Sequence, residues 1–269
     1  MSLRASRPAL ILLIPLCVLV WSSPSQARER LFSYTYESAS LGRGQVEIEP
    51  WVTSKIMRDH FYYRMDSRLE FEWGLGKNVQ TAFYLMFRAQ AEDDGSQIVG
   101  STAFRGIKNE WKFSVLDPVK DPLGLAMYFE YGLQPHEVEF EGKAIFDKQI
   151  GKVTLALNLV GEVELKVLSG GGVEPEGGIE LDFGTAFRLS PAIGLGFELR
   201  EAIVLADGRA QTAILSLGPA ISFHGESVWA VITVLPQLID FVSLTHNVQS
   251  SEWVEVRAVI GINQLFSLL

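Results

Sequence analysis

The chain has 269 residues, of which 48% are hydrophobic and 20% are charged, with a formal net charge of −9. This length is enough for one large domain, and the acidic balance argues against a nucleic-acid partner. The only cysteine, Cys17, lies in an apolar N-terminal stretch. Neither disulfides nor thiolate metal sites can therefore hold the rest of the chain together.

Residues 1–27 have the layout of a secretory signal peptide. Arg4 and Arg7 precede an apolar stretch over residues 9–21, and the small-x-small tripeptide Ser25-Gln26-Ala27 follows. The apolar stretch is short for a bilayer-spanning helix and stands before a plausible cleavage site. We expect cleavage after Ala27; the alternative is a retained N-terminal anchor.

The segment from Phe61 to Trp73 alternates apolar and charged side chains. One parity is almost entirely apolar, whereas the other includes Arg64, Glu70 and Glu72. Because successive side chains of a β-strand point to opposite faces, such a strand has one apolar face and one charged face.

The same alternation continues through residues 28–269 and predicts about twelve strands, each long for a soluble protein. No part of this region shows helical spacing. The predicted strands lie near residues 45–53, 61–73, 79–91, 106–115, 123–132, 138–148, 153–168, 178–189, 193–205, 210–223, 228–237 and 253–266.

The predicted connections alternate between tight turns and longer polar loops. The tight turns fall at 76–78, 151–152, 190–191 and 224–227, with 116–122 a longer member of this set. The longer loops fall at 54–60, 92–101, 134–137, 169–177, 206–209 and 239–251. Outer-membrane barrels alternate short periplasmic turns with longer extracellular loops in this way.

An exported soluble β-sandwich is the main alternative, since its strands also alternate apolar and polar residues. Three features favour a membrane barrel: strand length, aromatic residues near predicted strand ends, and an aromatic residue, Phe266, close to the C-terminal end of the last strand. These aromatic residues are Trp73, Trp111, Tyr131, Phe187, Phe223, Trp229, Trp253 and Phe266. We therefore predict a single antiparallel transmembrane β-barrel of about twelve strands over residues 28–269, in the outer membrane of a Gram-negative bacterium. Its partners would be membrane lipid and, through the C-terminal strand, the outer-membrane assembly machinery.

Three segments carry a resemblance to a known family. They are Val46-Glu47-Ile48-Glu49-Pro50-Trp51-Val52-Thr53, the stretch from Asp121 to Glu130, and Leu217-Gly218-Pro219-Ala220 with the following 231–237. Together they resemble an uncharacterised family of Gram-negative outer-membrane β-barrel proteins. The resemblance implies location and fold, and it brings no catalytic residues with it.

The charged parity of the strands supplies the candidate lumen lining. A lipid-facing Arg or Lys at mid-bilayer would cost about 2–4 kcal/mol, so these side chains are expected to face inward. The candidates are Glu47, Glu49, Arg64, Asp66, Arg68, Glu70, Glu72, Arg88, Lys108, Glu110, Glu130, Glu141, Lys143, Glu162, Glu164, Lys166, Glu180, Asp182, Glu198, Arg200, Glu255 and Arg257. Acidic side chains outnumber basic ones, so we expect an acidic lumen.

Two functions fit this lining. The charges either line a narrow porin-like passage for small polar solutes or cations, or pair across a closed structural or interaction barrel. Strand number does not decide, since twelve lies between filled eight-stranded barrels and open pores of 16 to 18 strands. Inward small residues such as Gly184, Gly194 and Gly124 either leave space in the lumen or relieve strand bending.

An outer-membrane lipid hydrolase is the third possibility. Such an enzyme needs a serine activated by histidine. If the last strand lies beside the first, Asp59, His60, His246 and Ser250 meet at one rim. A turn with His224 and Ser227 is more simply a polar turn. We expect no enzyme activity and no cofactor. We also expect no metal, because the acidic run at 92–95 lacks the spacing of a calcium loop.

Overall fold

The computed structural model describes residues 30–56, 60–244 and 253–264. Within these ranges it has twelve strands, and no helix there is long and apolar enough to cross a membrane. The strands are β1 (Val46–Ile56), β2 (Tyr62–Gly76), β3 (Val79–Asp93), β4 (Ile98–Leu116), β5 (Gly124–Gln134), β6 (Glu137–Ile150), β7 (Val153–Val167), β8 (Val173–Ser190), β9 (Ile193–Ala206), β10 (Arg209–His224), β11 (Val228–Asp240) and β12 (Val254–Gln264).

All twelve strands form one closed antiparallel barrel, as the sequence predicts. Each strand pairs with its neighbours in the chain, and β12 closes the ring on β1 with Thr53 opposite Arg257. Because the ring is closed, every strand has a paired neighbour on both sides. In this ring β1 and β7 are six strands apart in either direction, so they lie on opposite walls.

The predicted alternation separates the two faces of the wall. On β3, Tyr84 is 0% exposed, whereas its neighbour Phe83 is 39% exposed. On β2, Glu70 is buried while Trp73 is 43% exposed. The outward face is therefore apolar and the charged parity points inward, the arrangement of a barrel that sits in hydrocarbon.

The connections define two ends of the barrel. The turn end has the connections at 77–78, 117–123, 151–152, 191–192 and 225–227. The loop end has those at 57–61, 94–97, 135–136, 168–172, 207–208 and 241–253. At the turn end, Lys77 and Asn78 both have positive φ, of 53° and 62°, as a two-residue hairpin turn requires.

Two strands begin well before the predicted residue. β4 begins at Ile98 rather than at residue 106, and β8 begins at Val173 rather than at residue 178. Residues expected to be loop instead continue the ladders, with Ile98 opposite Asp93 and Val173 opposite Val167. Backbone pairing along a hairpin thus overrides the small and polar residues that suggested loops.

One predicted strand-end aromatic residue does not face outward. Trp229 is 1% exposed and lies inside the barrel, where its Nε1 donates a hydrogen bond to Glu47 at 3.0 Å. A strand-end position alone does not tell which face a side chain takes. Trp73, Tyr131, Phe187, Phe223 and Trp253 lie on the exposed outer surface, and Phe266 lies outside the described residues.

A segment without strand pairing enters the barrel ahead of β1. Residues 30–38 are all buried, and Phe32, Ser33, Thr35 and Ser38 have no exposed surface. We call residues 30–41 the inner segment. Its backbone is bound by side chains of the turn-end half of the interior, among them Glu198, Asn158 and Gln80.

Candidate functional site: the barrel interior

The structure places the charged residues predicted from the sequence on the inner face of the wall. Ten of them are buried: Glu47, Glu49, Glu70, Glu72, Lys108, Glu110, Glu130, Asp182, Glu198 and Glu255. The others are half-buried: Arg64, Asp66, Arg68, Arg88, Glu141, Lys143, Glu162, Glu164, Lys166, Glu180, Arg200 and Arg257. The half-buried set lies mainly toward the loop end, so the two halves of the interior differ.

In the loop-end half, strands β12 to β3 carry basic groups that share few acids. Arg64 Nε lies 2.9 Å from Asp66, and Arg88 contacts the same carboxylate. Lys55 and Arg257 both lie 3.5 Å from Glu255. Among the described inward side chains of this wall, basic groups therefore outnumber acidic ones.

Strands β6 to β8 carry the opposite excess. Lys143 pairs with Glu141 at 2.9 Å, and Lys166 pairs with Glu176 at 2.7 Å. In the loop-end half of the three strands, acidic side chains outnumber these two lysines among the described inward residues. The acidic side chains are Glu137, Glu139, Glu141, Glu162, Glu164, Glu176, Glu180 and Asp182. Lys108 of β4 contacts one of the acids, Glu139, and Arg200 of β9 contacts another, Glu180.

In the turn-end half, carboxylates of β1, β2 and β4 gather without solvent access. Glu47, Glu49 and Glu72 offer oxygens within 4.8 Å of one another, an arrangement suited to a hard cation. Arg30 of the inner segment brings a resident positive charge there, with Nη1 3.4 Å from Glu49. The segment thus contributes the counter-charge that buried carboxylates need.

Glu198 of β9 is the main anchor of the inner segment. The backbone N–H groups of Ser33, Tyr34 and Thr35 each donate to its carboxylate at 2.8 Å. Three successive N–H groups that converge on an anion form a strong binding nest. The Thr233 hydroxyl on β11 donates to the same carboxylate.

Other lumen side chains hold the backbone that follows. Asn158 of β7 accepts from Tyr36 N at 2.7 Å and donates to Tyr36 O at 3.0 Å, as a neighbouring strand would. Lys112 donates to the carbonyl of Ala39 at 2.7 Å, and Gln80 accepts from Leu41 N at 2.9 Å. The wall therefore satisfies main-chain groups that a buried, unpaired segment would otherwise leave unbonded.

Two tyrosines of the inner segment separate the halves. Tyr34 donates to Glu255 at 2.7 Å, and the Arg257 guanidinium lies 3.7 Å from its ring centre. Tyr36 packs edge-on against Tyr128 at 5.6 Å, and Lys143 lies 4.5 Å above its ring. These two rings therefore lie between the buried turn-end half and the charged loop-end half of the interior.

The inward small residues make room for this segment. A side-chain carbon at Gly184 would meet the ring of Phe32 at 2.8 Å, and one at Gly194 would lie 3.1 Å from Leu31. Phe32 and Leu31 pack with Ala156 in one buried cluster. Of the two explanations offered for these glycines, space in the lumen is the one that the contacts support.

The inner segment was not predicted from the sequence. The positions of Trp51, Tyr84 and Tyr128 inside the barrel were also not predicted, although all three share the inward parity of their charged neighbours. The available signal was the row of inward small residues around Gly184, which leaves a gap that strand side chains do not fill. A segment without periodicity gives no signal of its own.

The hydrolase hypothesis depends on a rim that is described only in part. Asp59, His246 and Ser250 lie outside the described residues. His60 lies at the loop end with Nε2 3.6 Å from Glu92. His224 ends β10 and Ser227 lies in the turn that follows, so both belong to the turn end.

Solved structures with this architecture are outer-membrane barrels. The COG4313 outer membrane channel from Pseudomonas putida F1 matches with a TM-score of 0.64 and 10% identity, covering 84% of this chain and 98% of that one. The translocator domain of the autotransporter NalP from Neisseria meningitidis gives 0.54 and 13%, covering 84% and 90%. The NanC porin gives 0.53 and 7%, covering 82% and 100%. At these identities the likeness shows the fold.

Comparison with curated proteins finds no match. A family model does match, over residues 24–243, which spans most of the barrel. The chain belongs to that family, DUF6662, a family of unknown function.

Proposed function

We propose that this protein is a narrow porin-like channel for small polar solutes or ions in the outer membrane of a Gram-negative bacterium. It is exported with a cleaved signal peptide and assembled through its C-terminal strand. The apolar outer face contacts membrane lipid, and the charged parity lines the passage. Acidic groups outnumber basic ones in this lining, which favours cations.

The observation that carries the proposal is that strand side chains alone do not fill the barrel. Eight-stranded barrels are filled by their own wall, whereas larger ones leave a lumen that a separate element can plug. Here residues 30–41 occupy the turn-end half, and small residues such as Gly184 leave space for them. A barrel with a shaped lumen and a separate plug fits a passage that can be opened.

The contacts of the inner segment are noncovalent and belong to a few side chains. Glu198, Asn158 and Lys112 bind its backbone, and its first described residue, Arg30, is a charged group paired with Glu49. Movement of the segment would expose a polar wall to water without breaking the strand ladder. In this proposal the barrel is in its narrow state when the inner segment lies inside the lumen.

Conductance in a planar bilayer tests the proposal. We expect small cation-selective steps from the purified protein, and a loss of cation preference when Glu162 and Glu164 are both changed to Gln. Replacement of Glu226, an exposed residue of the 225–227 turn, by Gln serves as the control and should leave selectivity unchanged. Anion-selective steps would contradict the acidic passage.

A closed structural or interaction barrel is the second candidate. The burial of residues 30–38 favours it, since Phe32 and Thr35 have no exposed surface. Deletion of residues 30–41 separates the two candidates. A barrel that stays silent in the bilayer after this deletion, although correctly folded, would overturn the channel.

A further inference from the structure

We infer that the solutes of this passage are short peptides with free termini. The inference rests on the proposed channel and names its substrate class. Two independent features carry it: opposite charges on facing walls of the loop-end half, and a turn-end half that already binds an extended polypeptide backbone.

The first feature is the separation of charge across the lumen. In the loop-end half, five basic residues lie on β1 to β3 and β12: Lys55, Arg64, Arg68, Arg88 and Arg257. The described inward acids among them are Asp66, Glu92 and Glu255. The acidic excess lies on β6 to β8. Since β1 is opposite β7, a transverse field crosses the lumen.

Two ionisable side chains, Arg68 on β2 and Glu162 on β7, project into this half of the lumen. Among the described residues, Arg68 has no ion-pair partner, and its nearest described ring contact is Trp51 at 5.8 Å. Glu162 likewise has no basic partner in the described chain. A half-buried charge without a partner favours a ligand of opposite charge.

A solute with separated positive and negative groups satisfies both walls at once. Its carboxylate turns toward Arg68 and its ammonium group toward Glu162. A neutral sugar gains nothing from either charge, and a simple ion gains from one wall while the other repels it. The transverse field therefore favours zwitterions.

The second feature, the binding of a polypeptide backbone, indicates that the zwitterionic solutes are peptides. The inner segment is a peptide bound through its main chain, with Glu198 accepting from three successive N–H groups and Asn158 pairing with both polar groups of Tyr36. Main-chain contacts of this kind do not depend on the side chains of the bound peptide. When the segment withdraws, the same groups are available to the amides of an incoming peptide.

The test is solute flux into proteoliposomes with three probes of similar size. They are trialanine, trialanine blocked by N-acetylation and C-amidation, and N-acetylglucosamine as an uncharged sugar. We expect trialanine to enter fastest. Arg68→Gln or Glu162→Gln should each lower the trialanine rate by about two- to five-fold relative to the sugar, as loss of a partly exposed charge contact predicts.

Matched controls keep the result specific. Lys120→Gln and Glu226→Gln remove exposed charges in turns outside the lumen and should leave the ratio unchanged. Blocked trialanine lacks both charges, so its rate should not respond to the two lumen substitutions. Heat-dependent mobility on a gel confirms that each variant is folded.

The outcomes distinguish the two proposals. If trialanine enters no faster than the sugar while the sugar passes, the peptide inference is overturned and the channel stands. If both lumen variants keep the wild-type ratio, the inference is overturned as well. If no probe passes, even after deletion of residues 30–41, the channel fails and the inference fails with it.

Discussion

The two halves of the barrel interior are built differently from the same alternating strands. In the turn-end half, the side chains of Glu47, Glu198 and Trp229 are buried against the inner segment and bound to it or to one another. In the loop-end half, Asp66, Arg88 and Arg200 keep about a quarter to a third of their side-chain surface exposed. Period-two patterning therefore sets which face a residue takes, but not whether water reaches it.

The difference has an energetic consequence. A buried donor or acceptor that loses its partner costs about 1–3 kcal/mol, whereas an exposed ion pair contributes about 0.2–1 kcal/mol. Substitutions in the turn-end half should therefore change structure and gating. Substitutions in the loop-end half should change selectivity with little loss of stability.

We expect the largest effect in the turn-end half from Glu198→Ala. It leaves the N–H groups of Ser33 to Thr35 without their acceptor, so the inner segment should loosen. With the signal peptide removed, the chain has no cysteine, and Ser33→Cys then reports access to a thiol reagent. We expect labelling at least about ten-fold faster than in the single Ser33→Cys protein, as about 1.4 kcal/mol of lost binding predicts. Equal rates would show that Glu198 does not hold the segment.

A steric change tests the same half from the wall. Gly184→Leu places a side chain where the ring of Phe32 lies, so the segment should be displaced and conductance should rise. Gly161→Leu is the matched control, because nothing lies within 4 Å of a side-chain carbon there. Adding Phe32→Ala should partly restore the narrow state. A rise in conductance in the Gly161 variant would point to a general effect of the added bulk.

Stability should respond to Trp229 more than to a surface tryptophan. Trp229→Phe removes the hydrogen bond to buried Glu47 and should lower the free energy of unfolding by about 1–3 kcal/mol. Trp253→Phe, at a side chain that is 49% exposed, should have a smaller effect. Urea titration in detergent micelles measures both changes. Equal effects would mean that the interior bond contributes little.

In the loop-end half, we expect Asp66→Asn to change selectivity with little loss of stability. It removes the acid shared by Arg64 and Arg88, so the wall becomes more basic while stability falls by at most about 1 kcal/mol. Reversal potentials under a salt gradient should shift toward anion permeation, and the shift should shrink at high salt. A large loss of stability would instead show that this half is packed like the other.

The smallest effect is expected at the tip of the β3–β4 hairpin. The Ser96 hydroxyl donates to Asp94 at 2.7 Å, and the backbone N–H groups of Gln97 and Ser96 donate to it at 2.9 Å. These bonds hold the pKa of the Asp94 carboxyl below its ordinary value. Its contribution is therefore present above the ordinary aspartate pKa and is lost as pH falls through the lowered one. Backbone amide shifts of Ser96 should stay constant at mildly acidic pH and change only under stronger acid. Asp94→Asn should remove that step.

The sequence predicts the strands of the barrel wall far better than it predicts the segment inside the barrel. Residues with odd and even numbers along a strand point to opposite faces, and the alternation of side-chain types shows which face is which. Tyr84 and Phe83 can therefore be assigned to opposite faces from the sequence. Strand ends at Ile98 and Val173 could not be predicted, since ladder pairing there overrides local composition. The inner segment was missed because it has no period and its bonds reach strands more than a hundred residues away, as between Tyr36 and Asn158.

The inner segment can also be regarded as a ligand tethered to its own receptor. A tether of a few residues between Leu41 and β1 keeps this ligand at an effective concentration on the order of millimolar or higher. A free solute that uses the same wall groups must compete at comparable concentration. The passage would then respond to abundance as well as to chemistry, and remain narrow wherever its solutes are scarce.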